Sequence, residues 1–308
     1  MDINRANMDA LFATYNTAFT EGMQTAGQRP TPEDLAVEDI AMIGTSTGAA
    51  TIHGWINQIG GMREWIGDRV ISNIESGKLT VVNKDYEKTI SVKRNDIEDD
   101  QYGIYAPLIR AMGNAAGSLW LKLAIDALVG NGKWADDKAF FASDRKYGSQ
   151  TINNVTTSAL SETTFKAARA ALESVKLHGD EPGEVVPKVL VVGPALRETA
   201  WNLVKNEWVV GGTTNKAGSI RNPNLGACEL RVSRRLVGDY ANYWFLLGTQ
   251  GGMMPVYVQK RKEPVLTRMD RDTDENVFMR NEYYYGTDAR GAAFLTLPHL
   301  AYGGLVTA

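Results

Sequence analysis

At 308 residues and a formal net charge of −3, the chain is long enough for one elaborate domain or two ordinary ones. Nothing in its overall charge draws it to nucleic acid or to an anionic membrane. Hydrophobic residues at 44% and charged residues at 22% place it among soluble globular proteins, and the single cysteine, Cys228, excludes an intrachain disulfide and fits a reducing compartment.

The N-terminal stretch "MDINRANMDALFATYNTAF" lacks the apolar run of a secretory signal. The longest apolar stretches fall well short of the ~20 residues that span a bilayer, so a soluble intracellular protein with no membrane partner is expected. Residues 4 to 22 set Leu11, Phe12, Tyr15 and Phe19 at helical spacing and predict an amphipathic helix. After a polar connector with Pro30 and Pro32, "DLAVEDIAMIGTSTGAATIHGW" reads as an extended, weakly structured arm whose apolar residues need a partner surface. The run "GKLTVVNKDYEKTISVKRN" alternates, with polar breaks at "SGK" and "NKD", and Ile90 and Val92 face away from Thr89, Ser91 and Lys93. The expectation is a long antiparallel hairpin over about 67 to 97, polar on both faces. Such a hairpin is marginal alone in water and should lie on another surface.

The strongest helical pattern follows. Tyr105, Leu108, Met112, Ala116, Leu119, Leu123 and Leu128 recur at steps of mostly three or four, until "GNG" stops the run. One helix of roughly 30 residues, about 45 Å long, is predicted. The carboxylates Asp96, Glu98, Asp99 and Asp100 stand just ahead of it, where they would cap backbone N–H groups and favour the helix dipole. A metal site built from them is the rival reading. Farther on, "LSETTFKAARAALESVKLHG" predicts a helix capped by Ser161, and "PKVLVVGPALRETAWNLVKNE" a buried strand and a helix. "ELRVSRRL", "NYWFLLG", "PVYVQKRKE" and "ENVFMRNEYYYG" predict strands. Helices and strands are not regularly interleaved, so the class is α+β, not doubly wound.

Motifs for chemistry fail one by one. His53, His178 and His299 show no metal-ligand spacing, and Cys228 has no neighbouring histidine or second cysteine, which suits a buried small hydrophobe. The glycine-rich runs "GTSTGAA" and "VVGGTTNKAGS" lack the phosphate-loop pattern and read as flexible loops. Asp270, Asp272 and Asp274 mimic the start of a calcium loop, but Glu275 stands where glycine is required and Asn281 where a bidentate glutamate is. No catalytic constellation and no cofactor site is expected, which favours a structural protein.

The stretches "GGMREWIGDRVISNI", "VVNKDYEKTISVKRNDIEDDQYGIYAPL", "DDKAFFASDRKYGSQTINN" and "YYYGTDARGAA" resemble the major head subunit family of Mu-like phages and prophages, the gpT family of capsid proteins. The resemblance covers about residues 40 to 305. It departs after "FF", where this family often carries a histidine and this chain has "ASDRKYG". The resemblance implies the Hong Kong 97 capsid fold. By it, residues 1–60 are an N-terminal arm, 61–98 an extended hairpin loop, 99–138 a peripheral domain with its spine helix, 139–250 an axial domain, and 251–308 the return strands of the peripheral domain. It further implies a shell of hexamers and pentamers around double-stranded DNA bound without sequence specificity. Scaffold, protease and portal proteins are the implied partners, with decoration proteins as optional ones. The implied locations are the virion and, during assembly, the host cytoplasm. Expected contacts between copies are Lys78, Lys84, Asp85, Tyr86, Glu87 and Lys88 in the hairpin, and Gly211, Gly212, Thr213, Asn215 and Lys216 in a loop at the capsomer axis. The rivals are a cargo shell resembling encapsulins, which shares the fold, and a hydrolase using a metal held by the Asp96–Asp100 carboxylates.

Overall fold

The computed structural model describes residues 5–48, 50–56, 76–99, 103–147, 150–176, 182–210 and 219–307. Helices α1 (Arg5–Gly27) and α2 (Val37–Ile40) come first, followed by strands β1 (Ala41–Thr45), β2 (Ala50–Ile56), β3 (Ser76–Val82) and β4 (Lys84–Lys93). Helices α3 (Arg94–Glu98), α4 (Tyr105–Gly117) and α5 (Leu119–Gly130) lead to short strands β5 (Arg145–Tyr147), β6 (Gln150–Ile152) and β7 (Val155–Thr156). Next come α6 (Glu162–Glu173), β8 (Val186–Val192), α7 (Arg197–Val204), β9 (Trp208–Val210), β10 (Ser219–Arg221), β11 (Glu229–Val232) and β12 (Trp244–Thr249). The described chain closes with β13 (Val256–Met269), α8 (Glu275–Arg280), β14 (Glu282–Leu295) and β15 (Ala301–Gly304).

Two sheets organise these elements. One has the order β11-β8-β12-β15-β7 and is buried on both faces. Successive strand side chains point to opposite faces, so Val189, Val191, Phe245 and Leu247 enter one core while Leu190, Val192, Trp244 and Leu246 enter another. The first core is shared with α5 and with Val256 and Val258 of β13, the second with Phe165 of α6 and Ala200 of α7. The cap of α6 is the expected one, with Ser161 Oγ accepting from the Thr164 N–H at 3.2 Å.

The other sheet has the order β1-β13-β14-β4. Helices α1 and α4 bury a third core against it, with Phe19, Ile109, Met112, Val92 and Tyr285. The two helices pack at glycines: a Cβ at Gly113 would stand 2.1 Å from the Phe19 carbonyl oxygen, and one at Gly22 2.1 Å from that of Arg110.

Several expectations are corrected. The residues read as a weakly structured arm form α2 and β1, and β1 lies parallel to β13 (Ala41↔Val256 to Thr45↔Lys260). Their apolar residues Leu35, Ile40 and Ala41 are buried in this chain's own core. The single long helix is two segments meeting at Ser118. Helical bonding continues across it, from Ser118 N–H to Asn114 O and from Lys122 N–H to Ser118 O, both at 3.0 Å. The side chain of Arg235 donates to Ser118 Oγ at 3.1 Å and to the Ser118 carbonyl oxygen at 3.4 Å, and a side chain that shares a carbonyl of the helical ladder in this way marks the junction.

The described carboxylates of the acidic run do not cap that helix. Asp96 lies in the separate α3 and Asp99 at its C-cap, because Ile97 is pinned in the third core; Asp100 lies outside the described residues. The stretch "ENVFMR" is the helix α8, not a strand. Asn281 ends it in the left-handed region at φ 55°, a conformation asparagine tolerates.

Candidate assembly surface

The expected hairpin of residues 67 to 97 is not formed from adjacent strands. β4 pairs antiparallel with β14, from Lys84↔Gly291 to Lys93↔Glu282. It is the outer strand of the four-stranded sheet. β3 pairs instead with β2, from Ala50↔Val82 to Ile56↔Ser76, and no third strand joins this ladder among the described residues. The physical reason is register: Tyr86, Ile90 and Val92 bring their side chains inward onto the body, and only the β14 edge offers them a core. The separate two-stranded ladder is therefore β2–β3, two seven-residue strands of about 20 Å. Residues 57–75 lie outside the described residues.

The expected contact residues divide accordingly. Lys78 sits in β3 opposite Gly54. Lys84, Asp85, Tyr86, Glu87 and Lys88 belong to β4. Tyr86 is half-buried against α5, and burial raises its phenol above the usual range. Asp85 meets the Arg290 guanidinium at 3.3 Å. Glu87 stands opposite Asp288, a like-charge pairing relieved by Lys262, which contacts Asp288. Charges along an open edge discourage unspecific pairing with other strands. The loop residues Gly211, Gly212, Thr213, Asn215 and Lys216 lie outside the described residues. On the elements flanking them, Trp201, Trp208, Ile220 and Leu225 are exposed.

Pattern reading missed the junction between the β2–β3 ladder and the four-stranded sheet. Among the described residues the chain crosses between the four-stranded sheet and the β2–β3 ladder at 46–48 and at Asn83. Asn83 is 4% exposed and Gln259 on β13 is 1% exposed. The Asn83 amide donates to Ser46 Oγ and to Gly48 O, both at 2.9 Å, and accepts from Gln259 Nε2 at 2.7 Å. The only sequence signal was the polar break "NKD", which reads equally well as a solvent turn.

The residues tested for chemistry are engaged elsewhere. Burial lifts the Cys228 thiol to about 12, which keeps it protonated and inert. His299 is buried, with Nε2 3.0 Å from Gln250 Oε1. Asp270 contacts Arg268 at 3.3 Å and Arg5 at 3.6 Å, and Asp272 contacts Arg94 at 3.3 Å. His178 lies outside the described residues, as does the side chain of His53. Among the described residues no three His, Cys, Asp or Glu side chains are grouped to hold a metal ion, and no helix is long and apolar enough to cross a membrane.

Comparison with known proteins gives a consistent result. The model of the family described as "Mu-like prophage major head subunit gpT" matches residues 8–160, 152–222 and 226–306. The chain is 28% identical over 302 residues to the Mu-like prophage FluMu major head subunit of Haemophilus influenzae, covering 96% of this chain and 73% of that one. It is 24% identical over 297 residues to the major capsid protein of Escherichia phage Mu, covering 95% and 72%. A chain from the procapsid of bacteriophage JBD30 superposes with a TM-score of 0.55 at 24% identity, covering 98% of this chain and 75% of that one.

Proposed function

The chain belongs to the Mu-like prophage major head subunit gpT family, and from that membership we infer a subunit whose β2–β3 arm and exposed apolar residues join it to further copies of itself. Its fold is the Hong Kong 97 fold of phage capsid proteins, and its function is that of a major capsid protein in the virion, a structural and not a catalytic role. The observation that carries the assembly reading is the β2–β3 ladder. Two strands that no third joins among the described residues are marginal in isolation, and a neighbouring copy supplies the surface they require.

In this reading the copies form hexamers and pentamers of a closed shell. Interfaces of ~800 Å² per partner, repeated several times around each subunit, make closure cooperative. The residues flanking 211–216 meet at the capsomer axis, where burial of Trp208 and Ile220 supplies apolar contact that the isolated chain lacks. In this reading the parts are the N-terminal segment (1–60), the extended loop (61–98), the peripheral domain (99–138 and 251–308) and the axial domain (139–250), with α2 and β1 packed into this chain's own body. Helix α1 rests on this chain's own α4, and β4 belongs to the peripheral sheet. Scaffold, protease and portal proteins act during assembly in the host cytoplasm, and the finished shell encloses double-stranded DNA without sequence-specific binding.

Electron microscopy of the purified protein, alone and co-expressed with its genomic neighbours, tests this. Closed shells or isolated capsomers are expected. A monodisperse monomer under both conditions would overturn the reading.

A further inference from the structure

We propose that Asn83, Gln259 and Ser46 form a positioning device that fixes the direction in which the β2–β3 arm leaves the body of the subunit. The proposal rests on the reading of β2–β3 as the arm. The chain passes between two separate sheets at only two described places, 46–48 and Asn83, and one buried side chain ties both crossings together. Asn83 spends both amide hydrogens on the incoming crossing, on Ser46 Oγ and Gly48 O at 2.9 Å each. Its oxygen accepts from Gln259 Nε2 at 2.7 Å, and Gln259 projects from β13, an inner strand of the four-stranded sheet.

The tie extends in both directions. Toward the arm, Ser46 Oγ lies 2.8 Å from Thr51 Oγ1 on β2, and Gln259 Nε2 donates to Val81 O on β3 at 3.5 Å. Toward the body, the Ser46 N–H donates to Lys260 O at 2.9 Å, and Arg261 donates to Ser46 O at 3.2 Å. Ser46, Asn83 and Gln259 are each no more than 5% exposed. A buried amide left unpaired is penalised by its full desolvation. Swinging the arm breaks several such bonds at once, so one direction is held. A hydrophobic root of equal volume would grip without defining an angle, because dispersion contacts are not directional. The three side chains of the node carry no ionisable group, so its hold is independent of pH in the neutral range.

The experiment measures the arm angle in the unassembled subunit. Spin labels at Thr80→Cys on β3 and Asp239→Cys on the body, with Cys228→Ala, report the distance distribution by pulsed electron resonance. A single narrow distribution is expected. Asn83→Asp, which cannot donate to Gly48 O, should widen it at least twofold. The double variant Asn83→Leu/Gln259→Leu removes both polar partners together and should keep the melting temperature within a few degrees while widening the distribution as much. An unchanged distribution in both variants overturns the proposal, as does widening only in proportion to lost stability. Particle formation separates this idea from the reading beneath it. A loosened arm with failed closure supports both. A loosened arm with normal shells supports the node and overturns the arm as an inter-copy contact.

Discussion

The five-stranded sheet and the arm contain strands of equal length, seven residues in β8, β2 and β3 alike, yet they are held by opposite means. β8 lies between two neighbours and buries apolar side chains on both faces. The arm has one ladder, and its attachment is a cluster of buried amides and a hydroxyl. Apolar burial resists unfolding and is indifferent to direction, whereas a satisfied polar node adds little net stability but defines a geometry. A shell subunit needs both, a body that survives and an arm that points correctly.

The sharpest break of this contrast is Phe245→Ala. The ring is fully buried in β12, and removal should cost about 3–5 kcal/mol. Chemical denaturation should show that loss, and a change below about 1 kcal/mol would mean the sheet core is not the source of stability.

Acid offers the next test. Burial depresses His299 to about 4, against about 6.5 in an unfolded chain. The fold therefore holds it neutral while the unfolded chain takes up a proton. Its contribution is complete above pH 6.5 or so and is lost as pH falls through about 4, on the order of 3 kcal/mol in all. Comparing stability against pH for the wild type and His299→Gln should isolate that slope. Parallel curves would assign the acid sensitivity to other groups.

A smaller effect is expected at the α1–α4 crossing. Gly113→Ala forces a Cβ against the Phe19 carbonyl and should cost about 1–3 kcal/mol through overpacking. Hydrogen exchange should accelerate first in α1. If it accelerated instead in β8 and β12, the helix pair would not be a separate unit.

Excising residues 50–82 behind a short Gly/Ser linker spares β4 and should shift stability by no more than about 1 kcal/mol while abolishing shells. The linker is short because Gly48 O lies 2.9 Å from the Asn83 amide. Removing 77–88 instead would take Tyr86 and half of β4 from the core and should unfold the protein, which separates arm from body along the chain. Last, Asp85→Asn removes one exposed partner of Arg290 and should change stability by about 0.5 kcal/mol or less. Any effect on assembly should weaken with salt.

Much was legible in the residues. The helical spacing of Tyr15 and Phe19, the Ser161 cap and the double-faced apolar runs of β8 and β12 are local facts, and each appears where the pattern put it. The same alternation set Ile90 and Val92 on one face of β4, though it did not place Tyr86 there. It did not tell which strand receives them. "KDYEKTISVK" has the right period to pair with the preceding β3, and it pairs with β14, almost two hundred residues later. Periodicity describes a face, and the partner is whichever edge lets that face meet a core. Likewise "ENVFMR" is too short for period to separate helix from strand, and the left-handed Asn281 before β14 decided it. The node at the root of the arm was least legible. Asparagine, glutamine and serine are ordinary in loops, and their meaning arises only when Ser46, Asn83 and Gln259, distant along the chain, are buried within hydrogen-bond reach. Local pattern chose the elements; the demand that every buried face and every buried polar group find a partner chose their arrangement.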